Sequence, residues 1–166
     1  NHFEVMANDL AVGGRLVAVR TMRARYEDIF VPLHGSHQGD NASVAIAAVE
    51  EFFDSAITRE ILEEGFATVE MPGRFEILGR QPLVVVDGAH NVGGAEVCSE
   101  VFFNDFQIEG RRLLVIGMLK SRDARELLGA LRADELDEVL CCTAPTPRGT
   151  PASEVAAAAR AVGCEE

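Results

Sequence analysis

The side chains able to do chemistry sit in three places. Asp87 and His90 follow Leu83-Val84-Val85-Val86, where an apolar β-branched run breaks into Asp87-Gly88-Ala89-His90-Asn91. Ligands of open parallel sheets collect at the carboxyl ends of strands. A charge at the end of such a strand is there for something outside the sheet to use. The plainer alternative is that Asp87 caps the next helix and His90 is a surface loop residue. Gln38 and Asn41 lie three apart in His34-Gly35-Ser36-His37-Gln38-Gly39-Asp40-Asn41. Carboxamides offer both a donor and acceptors, as a nucleobase edge requires; alternatively Asp40 or Asn41 is a helix N-cap. Arg74, in Met71-Pro72-Gly73-Arg74-Phe75, is a guanidinium at a joint. It can clamp phosphate oxygens from one side, or simply begin a hairpin in solvent.

Other chemistries leave no trace. No GxGxxG follows a strand, and no GxxxxGK[ST] supplies a P-loop. A second aspartate beside Asp87, as an aspartyl-phosphatase loop needs, is missing, and no Ser-His-Asp or Cys-His constellation stands out. The four cysteines, Cys98, Cys141, Cys142 and Cys164, contain no CxxC pair. Neither a metal site nor a disulfide framework is expected, and reduced thiols in the cytoplasm are. Against 15 Lys and Arg stand 27 Asp and Glu, a formal charge of −12. That balance argues against nucleic acid or an anionic membrane as partner, though not against a local cationic pocket. No stretch is apolar and long enough to span a membrane, and no signal peptide opens the chain.

The elements that must position these groups are legible from periodicity. Phe3 to Met6, Leu16 to Arg20 and Tyr26 to Leu33 read as strands, with a turn at Gly13-Gly14. Arg20, Arg23 and Arg25 between them read as a solvated hairpin. Ala42 to Phe53 reads as a helix, with Val44, Ala45, Ala48, Val49 and Phe52 at helical spacing. Thr58 to Glu64 reads as a second, with Thr58 as N-cap, Ile61 and Leu62 on the apolar side and Gly65 as the stop. Pro72-Gly73 marks a boundary. Beyond it Phe75 to Leu78 and Leu83 to Val86 make a hairpin-like pair, the second strand buried on both faces as in a parallel sheet. Then come helix Val92 to Phe106, buried strand Arg112 to Ile116, helix Ala124 to Leu131 capped by Asp123, strand Leu136 to Cys142, a stiff loop Thr143 to Thr150 carrying Arg148, and helix Pro151 to Val162. Strand–helix alternation argues an α/β domain with a doubly wound sheet. The 166 residues suit one domain or two small ones. The ends, without an initial Met and just after a helix, read as a piece of a longer protein.

Three segments in this order say more than any one. His34-Gly35-Ser36-His37-Gln38-Gly39-Asp40-Asn41 before an Ala-rich helix, Met71-Pro72-Gly73-Arg74-Phe75, and Val86-Asp87-Gly88-Ala89-His90-Asn91 together resemble the folylpolyglutamate synthase/dihydrofolate synthase branch of the Mur ligases. Gly117-Met118-Leu119 through Asp123 and Pro147-Arg148-Gly149 fit it too. The family's proline after His-Asn is here Val92, and its Asp-Lys-Asp is here Ser121-Arg122-Asp123. The resemblance implies residues 1–70 as the end of a central ATPase domain. Residues 71–166 would be a truncated Rossmann-like C-terminal domain, a mostly parallel sheet flanked by helices. It implies an ATP-dependent carbon–nitrogen ligase that adds L-glutamate to folate or dihydropteroate through an acyl phosphate. By similarity Gln38 and Asn41 meet the adenine, Arg74 the ATP phosphates, Asp87 a ribose hydroxyl, and His90 lies beside the nucleotide. Arg74 and His90 are the expected catalytic groups. The P-loop and the Mg²⁺ ligands would lie outside this chain, on the remainder of its parent, and the chain alone would be inactive. Another Mur-type amino-acid ligase of cell-wall synthesis, or a non-catalytic nucleotide-binding module, are the rival readings.

Overall fold

The computed structural model describes residues 3–164. They divide into two compact units, Asn1–Asp87 and Gly88–Glu166.

In the first unit, β1 (Phe3–Ala11), β2 (Gly14–Thr21) and β3 (Arg25–Val31) form an antiparallel sheet in that order. Strand β1 is longer than its apolar start suggests. It is an edge strand, so Asn8 and Asp9 stay in register with Val17 and Leu16 without being buried among apolar groups. The arginines of the hairpin pair with carboxylates: Arg20 with Glu4, Arg23 with Asp54 at 2.7 Å, Arg25 with Glu27 at 2.6 Å. Val17, Val19, Ile29 and Val31 of the sheet close on Ile46 and Leu62 from two helices, α1 (Ser36–Phe53) and α2 (Arg59–Ala67).

Helix α1 departs from its expected form in two ways. It starts at Ser36, because Gly35 turns the chain at φ +98° and its carbonyl accepts from Gln38 N at 3.1 Å. Only glycine takes that conformation without cost. Asp40 and Asn41 therefore lie inside the helix, and neither is its cap. The buried face is Gly39, Ala42, Ser43, Ile46 and Glu50, whereas Val44, Val49 and Phe52 are exposed. Apolar spacing marked the wrong face because an acid occupies the inner one. Glu50 accepts from the Tyr26 hydroxyl, whose oxygen accepts from Ile57 N at 2.9 Å. Burial, reinforced by the bond to Glu50, pushes the Tyr26 phenol up to about 12. Helix α2 is capped by Thr58, as expected. It buries Leu62 but leaves Ile61 exposed, and runs through Gly65 to Ala67.

A hairpin of β4 (Glu76–Arg80) and β5 (Leu83–Val86) completes this unit. The pairing is antiparallel, Glu76 opposite Val86 and Arg80 opposite Leu83. Strand β5 is thus not buried on both faces: Val84 and Val86 are each 42% exposed. Its side chains alternate, as a strand with one covered face requires.

The second unit holds α3 (Val92–Asn104), β6 (Leu113–Ile116), α4 (Ala124–Ala130), β7 (Glu138–Cys141) and α5 (Ala152–Ala161). Strands β6 and β7 are parallel, Leu113 opposite Glu138 and Ile116 opposite Cys141. Ala95, Ile116, Leu128, Ala133, Val155 and Ala158 form the core. The alanines of α5 let it approach closely, and Pro151 stands as its N-cap. Leu113 and Val115 face outward, so β6 too has one covered face. A short 3-10 turn, Ala133–Glu135, is followed by a bend at Leu136 and Asp137, so β7 begins at Glu138, two residues later than expected. The α/β class holds, strand and helix alternating from Leu83 to Ala161. Among the described residues no helix is long and apolar enough to cross a membrane.

Candidate functional site

The start of α1 is tied to the sheet before any ligand is considered. Asn8 of β1 donates through Nδ2 to Ser36 O at 2.7 Å and accepts from Arg15 Nε at 2.9 Å. Gly39 makes this possible, since a Cβ there would lie 2.6 Å from Asn8 Cγ. On this anchored turn Gln38 is buried, and Asn41 Nδ2 donates to Gln38 Oε1 at 3.4 Å. Residues three apart on a helix are neighbours. The paired carboxamides orient one another.

A second cluster forms around Phe75. Met71 to Phe75 turns with Gly73 at φ +70°, Arg74 N donating to Met71 O at 3.1 Å and Gly73 N to Glu76 Oε2 at 2.8 Å. Phe75 takes φ +44°, a conformation that costs a non-glycine residue energy and persists only where its surroundings enforce it. Here Asp87 enforces it: Asp87 Oδ2 accepts from Phe75 N at 2.7 Å. The Phe75 ring, 4% exposed, lies 5.9 Å from the His34 ring, centroid to centroid. Phe75 therefore joins three stretches that carry chemistry: the loop before α1, the Pro-Gly-Arg joint, and the end of β5. Arg74 is exposed on this joint, and among the described residues its guanidinium has no carboxylate partner.

His90 belongs to the second unit. Its Nδ1 lies 2.9 Å from Gly88 O. A carbonyl only accepts, so Nδ1 is the protonated nitrogen of this contact. The cap of α3 is Asn91, whose Oδ1 accepts from Gly94 N at 2.8 Å. The plainer role for Asp87, as that cap, is thereby corrected. Asn91 also holds the start of α3 in place without the family's proline. Asp123 caps α4, accepting from Arg125 N at 2.9 Å and Glu126 N at 3.2 Å.

Of the residues picked out in the sequence, Gln38 and Asn41 form one pair, Arg74 and Asp87 share the joint around Phe75, and His90 stands on the other unit. Sequence reasoning missed Phe75, His34 and the Asn8–Arg15–Ser36 anchor. Pro72-Gly73 signals a turn, but nothing in the chain marks a phenylalanine at positive φ. Among the described residues no three His, Cys, Asp or Glu side chains cluster so as to hold a metal ion.

Residues 73–166 match the family described as Mur ligase, glutamate ligase domain. The dihydrofolate synthase/folylpolyglutamate synthase of Mycobacterium tuberculosis is 34% identical, over 98% of this chain and 33% of its own. The Bacillus subtilis protein of the same name is 32% identical over 76% of this chain and 30% of its own. Among solved structures, Mycobacterium tuberculosis folylpolyglutamate synthase complexed with ADP and AMPPCP superposes with a TM-score of 0.88, covering 95% of this chain and 35% of that one. Escherichia coli FolC in complex with DHPP and ADP gives a TM-score of 0.81 at 26% identity, covering 99% and 36%. The chain spans about a third of the length of the curated relatives it matches. With the domain match covering more than half of its residues, this chain belongs to the Mur ligase family and resembles its folylpolyglutamate/dihydrofolate synthase branch.

Proposed function

We propose that the chain is part of an ATP-dependent ligase that adds L-glutamate to folate or dihydropteroate. The observation that carries this reading is a likeness extending along 98% of the chain to a relative of that name. Residues 1–70 are then the end of a central ATPase domain and residues 71–166 a Rossmann-like domain, a boundary drawn at the Pro72-Gly73 turn, where the family match begins, and not at the Asp87/Gly88 division of the two compact units. In such a ligation the γ-phosphoryl of ATP passes to an acceptor carboxylate, and the glutamate amine then displaces phosphate from the acyl phosphate.

The local geometry suits a nucleotide. Asn41 engages the Gln38 oxygen, which leaves the Gln38 amide to donate and the Asn41 oxygen to accept. An adenine edge presents the complementary acceptor and donor. Arg74, an exposed cation on a turn fixed by Phe75 and Asp87, reaches for the phosphates and stabilises charge building on the transferred phosphoryl group. Asp87 takes a ribose hydroxyl, and His90 lies beside the nucleotide. Mg²⁺ fits no cluster of the described residues, and we assign its ligands, with the P-loop, to the remainder of the parent protein. Reduced thiols suit the cytoplasm, and the acidic balance suits neither nucleic acid nor an anionic membrane.

The test is a ligation assay of the full-length parent with dihydropteroate and a reduced folate as competing acceptors. ATP-dependent incorporation of glutamate into either supports the reading; incorporation of glutamate into neither overturns it. The purified chain alone should show no turnover. Turnover by the chain itself would show that the phosphate machinery had been placed wrongly.

A further inference from the structure

Helix α1 is apolar on the side that its own sheet leaves open. Between Asp40 and Glu51 the exposed residues are Asn41, Val44, Ala45, Ala48 and Val49, and Phe52 and Phe53 follow. Asn41, Val44, Ala45, Ala48 and Phe52 recur at helical spacing and make one stripe, about 16 Å long at about 1.5 Å per residue. The stripe ends on an aromatic pair. The Phe52 and Phe53 rings meet edge to face with centroids 5.0 Å apart, and the two residues are 81% and 69% exposed. This end of the helix is firmly held. Glu50 accepts from the Tyr26 hydroxyl on the inner face, Asp54 N donates to Glu50 O, and Arg23 pairs with Asp54 at 2.7 Å.

A solvated helix face carries charge. Helices α2 to α5 keep that rule: Glu63 and Glu64 of α2, Glu100 of α3, Glu126 of α4 and Arg160 of α5 are all exposed. Helix α1 does not. Its one acid between Asp40 and Glu51 is Glu50, and Glu50 is buried. Single apolar side chains on a surface need no explanation, whereas a contiguous apolar stripe marks an interaction face. Exposed Leu113, Val115 and Leu140 of β6 and β7 also stand together, but without an aromatic anchor and with the Arg111–Glu138 ion pair in register beside Leu113.

Area and length decide what covers the stripe. It leaves roughly 400 Å² open, taking about 200 Å² for a whole aromatic side chain. One partner of a stable complex contributes about 800 Å², so a second copy of the chain would bind only weakly here. A segment of the same polypeptide needs less area, because tethering removes most of the cost of association. The chain spans about a third of the length of its curated relatives, and α1 lies before residue 73, where the match to the glutamate ligase domain begins. We propose that the outer face of α1 is a docking seam for the part of the parent chain that precedes Asn1, and that this part lays an apolar surface along the stripe from Asn41 to Phe53. The seam borders the Gln38–Asn41 pair, so the helix is gripped from both sides where it presents its carboxamides. The inference rests on the ligase reading for the identity of the occupant, and on the stripe for its place.

The test places the photo-crosslinker p-benzoylphenylalanine at position 52 of the full-length parent, with irradiation, digestion and peptide mass spectrometry. The expected product is an intramolecular link from position 52 to a peptide that precedes Asn1. A product of doubled mass would assign the face to a second copy. That result, a link only to residues 1–166, a link to a segment beyond Glu166, or no link at all would each overturn the proposal. The unsubstituted parent supplies a readout that no failure of a variant to fold can spoil. Hydroxyl radicals should oxidise Phe52 and Phe53 about fivefold or more slowly in the folded parent than in a free peptide of residues 48–56, as at the core of an interface. Rates close to those of the peptide, as 81% and 69% exposure would give, overturn the seam. A parent that ligates glutamate with Phe52 open keeps the ligase and loses the seam. An upstream link in a parent that does not ligate keeps the seam and loses the ligase.

Discussion

Replacing Gly39 with alanine tests whether the start of α1 is held by the sheet. Two effects oppose each other. Alanine is the better helix former, by up to about 1 kcal/mol. Its Cβ, however, would lie 2.5 Å from Asn8 Nδ2 and 2.6 Å from Asn8 Cγ. Asn8 cannot simply swing away, because it donates to Ser36 O at 2.7 Å and accepts from Arg15 Nε at 2.9 Å, and Arg15 is 8% exposed. Rotating it out sacrifices a neutral hydrogen bond, about 0.5–1.5 kcal/mol, and one to a charged donor, about 1.5–3 kcal/mol. The clash wins, and Gly39→Ala should destabilise the chain by about 1–3 kcal/mol. With no tryptophan in the sequence, urea unfolding is best followed by far-ultraviolet circular dichroism. The decisive comparison is the same substitution in an Asn8→Ala background. There the obstacle is gone, and Gly39→Ala should be neutral or stabilising by up to about 1 kcal/mol. An equal cost in both backgrounds, or a gain in the parent background, would refute the anchor.

Further expectations follow from single contacts. Tyr26 is the only tyrosine, so phenolate absorbance reports it directly. Its midpoint should lie at about 12 in the folded chain and return to about 10 in urea. A folded pKa above the unfolded one means that Tyr26 stabilises fully below pH of about 10 and loses that contribution as pH climbs to about 12. Tyr26→Phe should flatten that decline in a pH series of unfolding curves. Asp123→Ala strips two backbone donors of their cap and should cost about 1 kcal/mol. Asp123→Asn, measured by the same unfolding, should recover most of it. Arg74→Ala in the full-length parent should lower turnover by about 100-fold or more while moving stability by less than about 0.5 kcal/mol. Unchanged kinetics would remove Arg74 from the site.

What could be read without coordinates follows a physical line. Caps and turns were legible because a local side chain makes them: Thr58 and Asp123 cap the helices they precede, and Gly13 takes the turn between β1 and β2. Faces were less legible, because they depend on what lies opposite. The inner face of α1 carries Glu50, whose carboxylate is met there by the hydroxyl of Tyr26, 24 residues earlier. Likewise, an uninterrupted apolar strand, Leu83 to Val86, reads as buried on both sides, yet β5 pairs antiparallel with β4 and leaves Val84 and Val86 half in solvent. The candidate site divides the same way. Gln38, Asn41, Arg74, Asp87 and His90 were picked out as candidates by residue type and spacing, and it was the family resemblance that attached a nucleotide to them. What holds Arg74 and Asp87 on a common joint is an apolar residue, Phe75, whose backbone N–H engages Asp87 and whose ring meets His34. A buried phenylalanine at positive φ has no sequence signature, since its strain is imposed by partners 12 and 41 positions away. The chemistry of this site is thus written in polar motifs. Its geometry rests on a hydrophobic residue between them, and substitution at Phe75 should disturb Arg74 and Asp87 together, where substitution of either polar residue disturbs one.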